Sequence, residues 1–78
     1  MPVVEITQTV DARGLSCPMP IVKTAQAIKA ISSGGIVEVL ASDPGSVKDF
    51  VAWSRTTGHE LLQQTADGGT YRFVIRRK

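Results

Sequence analysis

Two stretches of helical spacing, each flanked by β-branched runs, leave this 78-residue chain few folds to choose from. Residues 3–10 alternate Val, Ile and Thr with polar positions, the period of a strand at or near a sheet edge. Asp11-Ala12-Arg13-Gly14-Leu15-Ser16 reads as a turn-like connection. After Cys17 the period changes. Ile21, Thr24, Ala25 and Ile28 share one helical face, with Val22 and Ile31 at its shoulders. Ser32-Ser33-Gly34-Gly35 ends that helix, with glycine where a left-handed cap is wanted. Ile36–Ala41 is short and β-branched, the pattern of a buried central strand. Asp43-Pro44 then opens a second helix, with Asp as N-cap and Pro in the first helical position. Val47, Phe50, Val51 and Ser54 form its apolar face, and Gly58 closes it. Residues 59–66 and 70–77 are two further strands around Asp67-Gly68-Gly69, a strong hairpin signal. The order is βαβαββ.

Two helices cannot cover both faces of a four-stranded sheet this small. The expected architecture is therefore an α/β (α+β type) two-layer sandwich with both helices on one face, one domain over residues 1–78. A helix crossing between strands one and two makes them parallel, and that crossover is right-handed. The final hairpin adds an antiparallel pair, so the sheet is mixed. In the last strand Tyr71, Phe73 and Ile75 alternate with Arg72, Val74 and Arg76, which turns the two aromatic rings inward under the helices. Trp53 is expected to fold over Phe50, the alternative being an exposed anchor for a partner.

Composition narrows the chemistry. One cysteine excludes an internal disulfide, and with only one histidine no zinc ligand pattern exists, so neither a metal nor a separate cofactor is expected. Nine basic against seven acidic residues give a net charge of +2, too little to indicate nucleic acid without a concentrated patch. The N-terminus lacks the basic start and apolar run of a secretory signal, and no segment approaches the length needed to span a membrane. A cytoplasmic protein without membrane contact is expected, its thiol kept reduced.

The informative segment is Gly14-Leu15-Ser16-Cys17-Pro18-Met19-Pro20. A residue before proline is pushed out of the helical region, the geometry of an N-cap. Cys17 is therefore placed at the N-cap, with Pro18 first in the helix. The two prolines remove two of the donors a helix start leaves open, and the N–H groups of Met19 and Ile21 remain near the sulfur. A helix N-terminus lowers a thiol pKa, and Arg13 adds to this if the loop folds back, or else only solvates itself. Cysteine is a poor cap compared with Ser, Thr, Asp or Asn. A poor structural choice at a positive helix end points to reactivity rather than to an inert core thiol.

Asp11-Ala12-Arg13-Gly14-Leu15-Ser16-Cys17-Pro18-Met19-Pro20 resembles the CPxP signature of the TusA/SirA-like sulfur carriers, and the similarity extends through Ser42-Asp43-Pro44 to the last strand. The resemblance implies a mixed sheet in the order 1-2-4-3 with strand four antiparallel to the others. It also implies a persulfide on Cys17, received from a cysteine desulfurase or a rhodanese-type donor and relayed to a downstream acceptor protein. Uses known across the family are tRNA thiolation, molybdenum-cofactor assembly and sulfur oxidation, with tRNA met at most indirectly. Gly14, Pro18, Met19, Pro20 and Ile21 would shape the site. Ser16 and Met19 stand where some tRNA-pathway members carry a basic and an acidic residue. A monomer is expected of a carrier that exposes one corner to two partners.

Other residues keep two readings open. Asp43 is foremost a helix cap and secondarily, like Arg13 and Ser16, a candidate electrostatic or partner contact. Arg72 and Arg76, with Arg77 and Lys78, make either a solvated sheet face or a docking surface for an acidic partner or tRNA. The competing functions are a small basic RNA-binding or regulatory module with an incidental cysteine, and a one-cysteine redox protein. The inward aromatics disfavour the first, and the absence of a C-x-x-C disfavours the second.

Overall fold

A computed structural model describes residues 5–78. The elements are β1 (Gln8–Ala12), α1 (Met19–Lys29), β2 (Ile36–Ala41), α2 (Ser46–Thr57), β3 (Glu60–Asp67) and β4 (Thr70–Arg76), and the strands lie in the order β1-β2-β4-β3. β1 runs parallel to β2, with Val10 opposite Val39, while β4 is antiparallel to both β2 and β3. Both the mixed sheet and its order agree with expectation.

The core follows from the two periods. Val10 on β1, Val37, Val39 and Ala41 on β2, and Phe73 and Ile75 on β4 point to one side, where Ile28 and Ile31 from the α1 side and Phe50 of α2 meet them. Phe50 stacks on Phe73 with ring centroids 4.5 Å apart and receives Trp53 edge-on at 6.1 Å. Trp53 thus folds over Phe50, and Tyr71 packs against the same core. On α1 the residues facing inward are Pro20, Thr24 and Ile28, while Val22, placed at the shoulder by spacing, is exposed.

Several boundaries differ from the sequence reading, each for a local reason. β1 was expected over residues 3–10 but covers 8–12, and positions 3 and 4 lie outside the described residues. Alternation continues through exposed Asp11 and fully buried Ala12, which pair with Leu40 and Ala41, so the turn begins only at Arg13. α1 ends on Ala30 in the right-handed region rather than on a left-handed glycine. Ile31 must still reach the core before the chain turns, and the left-handed residue is Gly34, whose N–H donates to the Arg77 carbonyl. β3 and β4 are each displaced by one residue at one or both ends from the expected 59–66 and 70–77. The hairpin between them has positive φ at both Gly68 and Gly69, as a two-residue turn of the primed type requires.

Gly58 closes α2 at φ 84°, its N–H donating to Ser54, and a Cβ there would lie 3.0 Å from Lys78 Cδ. A left-handed conformation costs a non-glycine residue about 1–2 kcal/mol. Gly58→Ala is therefore expected to lower the thermal midpoint by roughly 4–16 °C, read by circular dichroism.

The helix-free face is charged but paired. Arg72 Nε lies 2.5 Å from Glu38 Oε2, its Nη1 3.2 Å from Gln63, and Arg76 bonds Glu60. Arg72 holds the Glu38 carboxyl below its ordinary value, helped by Thr9, and hydrogen bonds from Arg13 hold Asp11 down at about 2. Burial, with Arg77 and Lys78 nearby, pushes His59 down. Groups with depressed folded pKa values stabilise the fold above their unfolded values and lose that contribution as pH falls through the folded ones. Denaturant midpoints should therefore fall as pH drops below 6.5, and most steeply from about 4.5 to 2.

Candidate active site at the start of the first helix

Because β1 and β2 are parallel, the loops that follow them emerge at the same end of the sheet, and the first turns of α1 and α2 become neighbours. In parallel α/β sheets that end is where sites collect. The chain leaves β1 through Gly14, at φ 82°, whose N–H donates to Ser42 Oγ at 2.7 Å. Three residues later the Cys17 N–H donates to Asp43 Oδ2 at 2.8 Å. Two consecutive side chains after β2 thus hold the loop after β1.

Cys17 is exposed, and its thiol donates to Asp49 Oδ2 at 2.7 Å. It stands one residue farther from α1 than expected. Pro18, at φ −97°, takes the N-cap position, and Met19 is the first helical residue. The Cys17–Pro18 peptide is cis, within a turn closed by the Met19 N–H on the Ser16 carbonyl at 2.8 Å. One of the two donors expected beside the sulfur is therefore occupied. Pro20 is fully buried and anchors the turn from within, its carbonyl accepting from Thr24 Oγ1. Ile21 is half-buried against the core. Met19 and Val22, at 44% and 38% exposure, present apolar surface on the opening turn of α1.

The electrostatics reverse the expectation of a lowered thiol pKa. Cys17 is pushed above its ordinary value, first by its hydrogen bond to Asp49, then by desolvation and by the charges of Asp49 and Asp43. A carboxylate in contact with the sulfur outweighs a helix end whose first donor is already used. Arg13 does not correct this. Its guanidinium is turned to Asp11, with Nε and Nη2 at 2.9 and 3.0 Å from the two carboxylate oxygens. These contacts favour the thiol form of Cys17 in the free protein.

Gly14, Ser16, Cys17, Pro18, Met19, Pro20, Ile21 and Asp43 are brought together at this corner. Arg13 lies in the same loop but faces Asp11, and Arg72 and Arg76 lie on the helix-free face, bound to carboxylates. Asp43 was expected as the N-cap of α2, yet that position is Gly45. Pro44 and Gly45 instead form a preceding turn, in which Asp43 Oδ1 accepts the Gly45 N–H while Oδ2 reaches across to Cys17. Sequence reasoning missed Ser42 and Asp49. The available signal was topological: a parallel β1–β2 pair places both helix starts side by side, and Asp49 is the acidic residue of the second one.

A small two-layer domain presenting one exposed thiol where two βα loops meet is the class that fold and site define. The sequence model of the sulfurtransferase TusA family matches residues 8–77. The chain is 44% identical over 73 residues to the sulfur carrier protein TusA of Allochromatium vinosum, covering 94% of this chain and 96% of that one. It is 47% identical over 70 residues to the putative sulfur carrier protein YrkI of Bacillus subtilis, covering 90% and 93%. The crystal structure of a SirA-like protein from Desulfitobacterium hafniense superposes with a TM-score of 0.79 at 25% identity, covering 90% of this chain and 96% of that one. The chain belongs to the TusA family.

Proposed function

We propose that this protein is a sulfur carrier that accepts sulfane sulfur as a persulfide on Cys17 and relays it to an acceptor protein. The observation that carries the reading is the exposed Cys17 thiol, hydrogen-bonded to Asp49 with its own backbone N–H held by Asp43, at the corner between the two helix starts. The names of the relatives support the same role. The donor is a cysteine desulfurase or a rhodanese-type protein. The acceptor belongs to tRNA thiolation, molybdenum-cofactor assembly or sulfur oxidation.

The corner suits a relay. Two clefts lie elsewhere, one of about 400 Å³ between β1 and α1 and one of about 230 Å³ between α2 and the β3–β4 hairpin, and neither is lined by Cys17. The thiol stands open to a partner, with the apolar side chains of Met19 and Val22 on the adjoining turn. An RNA-binding reading finds less support, since Tyr71 and Phe73 face the core and Arg72 and Arg76 are already paired.

The test is intact mass. Reduced protein incubated with a cysteine desulfurase and cysteine, or with thiosulfate and a rhodanese, should gain one sulfur atom that a reductant removes. A mass unchanged with every donor would count against the carrier role.

A further inference from the structure

We propose that Asp49 is the proton acceptor for Cys17 during sulfur transfer, a reading that rests on the carrier function above. Its carboxylate is the hydrogen-bond partner of the thiol, with Oδ2 2.7 Å from Sγ, so it touches the reacting atom. It is half-buried in the first turn of α2, whose backbone fixes it through its own N–H on the Gly45 carbonyl. Among the described residues no lysine or arginine forms an ion pair with Asp49 or Asp43. Asp43 contributes charge to the site, but its oxygens accept the backbone N–H groups of Cys17 and Gly45. Only Asp49 addresses the sulfur.

The step balances without an external oxidant. The Cys17 proton passes to Asp49 Oδ2 as the freed Sγ electron pair forms a bond to the outer sulfur of a donor persulfide, R–S–SH. The donor S–S bond breaks with both electrons on the inner sulfur, which becomes R–S⁻ and takes the proton held by Asp49. The sum is Cys17–SH plus R–SSH giving Cys17–S–SH plus R–SH. Sγ is oxidised by as much as the donor's inner sulfur is reduced.

One carboxylate then has two opposed effects. Its charge keeps the resting thiol protonated and slow toward any electrophile that does not engage the site. Its basicity supplies the thiolate when a sulfane sulfur is aligned, since a positioned base contributes about 10²–10⁴-fold. After transfer, the same charge repels the anionic persulfide and favours its delivery.

Asp49→Asn removes charge and base while keeping size, and the full-length protein serves for the test. Single-turnover loading from glutathione persulfide should slow by about 10–100-fold. Alkylation by iodoacetamide at pH 7 should instead become about twofold faster or more, because the thiolate fraction rises when the carboxylate goes. Loading by the variant should also rise with pH up to the thiol pKa, where the wild type is flatter. Asp49→Glu should recover part of the loading rate. Loading by the Asn variant at or above the wild-type rate would overturn the assignment, reducing Asp49 to an electrostatic brake. A parallel loss of loading and alkylation would overturn it too, as the mark of a structural role. Wild-type protein that fails to load at all would instead contradict the carrier reading itself.

Discussion

Phe50→Ala is expected to remove a large share of the domain's stability. Phe50 is fully buried, stacked on Phe73 at 4.5 Å and capped edge-on by Trp53, so one side chain joins α2 to the centre of the sheet. Truncating a core phenylalanine costs about 3–5 kcal/mol, because the cavity left behind closes only in part. A chain of this size has roughly 4–12 kcal/mol of stability in total, at 0.05–0.15 kcal/mol per residue. The loss therefore consumes a large share of what holds the fold. Urea titration followed by circular dichroism should show a midpoint shifted far below that of the wild type. Phe50→Leu, which retains most of the volume, should shift it less. Equal midpoints for Phe50→Ala and the wild type would mean that the core does not depend on this contact.

Cys17→Ser is expected to abolish sulfur loading while leaving the fold intact. The serine hydroxyl can still donate to Asp49, and the backbone N–H at position 17 can still donate to Asp43, so the loop keeps its tethers. An alcohol is a far poorer nucleophile toward sulfane sulfur than a thiol. No other cysteine exists in the chain to take over. Loading followed by mass should fall to background, with the thermal midpoint close to that of the wild type. Retained loading would place the accepting group somewhere other than Cys17.

These two residues also show what the sequence could convey. Phe50 and Phe73 fall on inward faces by period alone, and β2 spans Ile36–Ala41 as its β-branched run and bounding glycines imply. The position of the thiol at a loop-to-helix corner was equally legible, since proline restricts the residue before it and fits the first turn of a helix. The sign of the thiol's pKa shift was not. It depends on Asp49, 32 residues away, which reaches the sulfur only because the crossover between β1 and β2 sets the two helix starts side by side. Local reasoning counted the helix dipole and Arg13, yet the dipole's first donor is used by Ser16 and the guanidinium is held by Asp11. The charges of the helix-free face were misleading in a similar way. Arg72 and Arg76 read as a basic stripe in sequence, but strand pairing places Glu38 beside one and Glu60 opposite the other.

Met19 and Val22 illustrate the same limit for packing. Helical spacing put Val22 at the edge of the buried face, but that face is centred on Pro20, Thr24 and Ile28, and Val22, two positions from Thr24, lies about 200° around the helix from it. The result is an apolar surface on the turn next to the sulfur.

The most direct measurement is peptide-level mass spectrometry of the protein after a donor has acted and been removed, under conditions that preserve persulfides. A carrier role requires one added sulfur, located on the peptide containing Cys17 and lost when an acceptor thiol is supplied, with the acceptor gaining that sulfur. A Cys17 peptide that stays unmodified while the donor is active, or a sulfur that no acceptor removes, would contradict it.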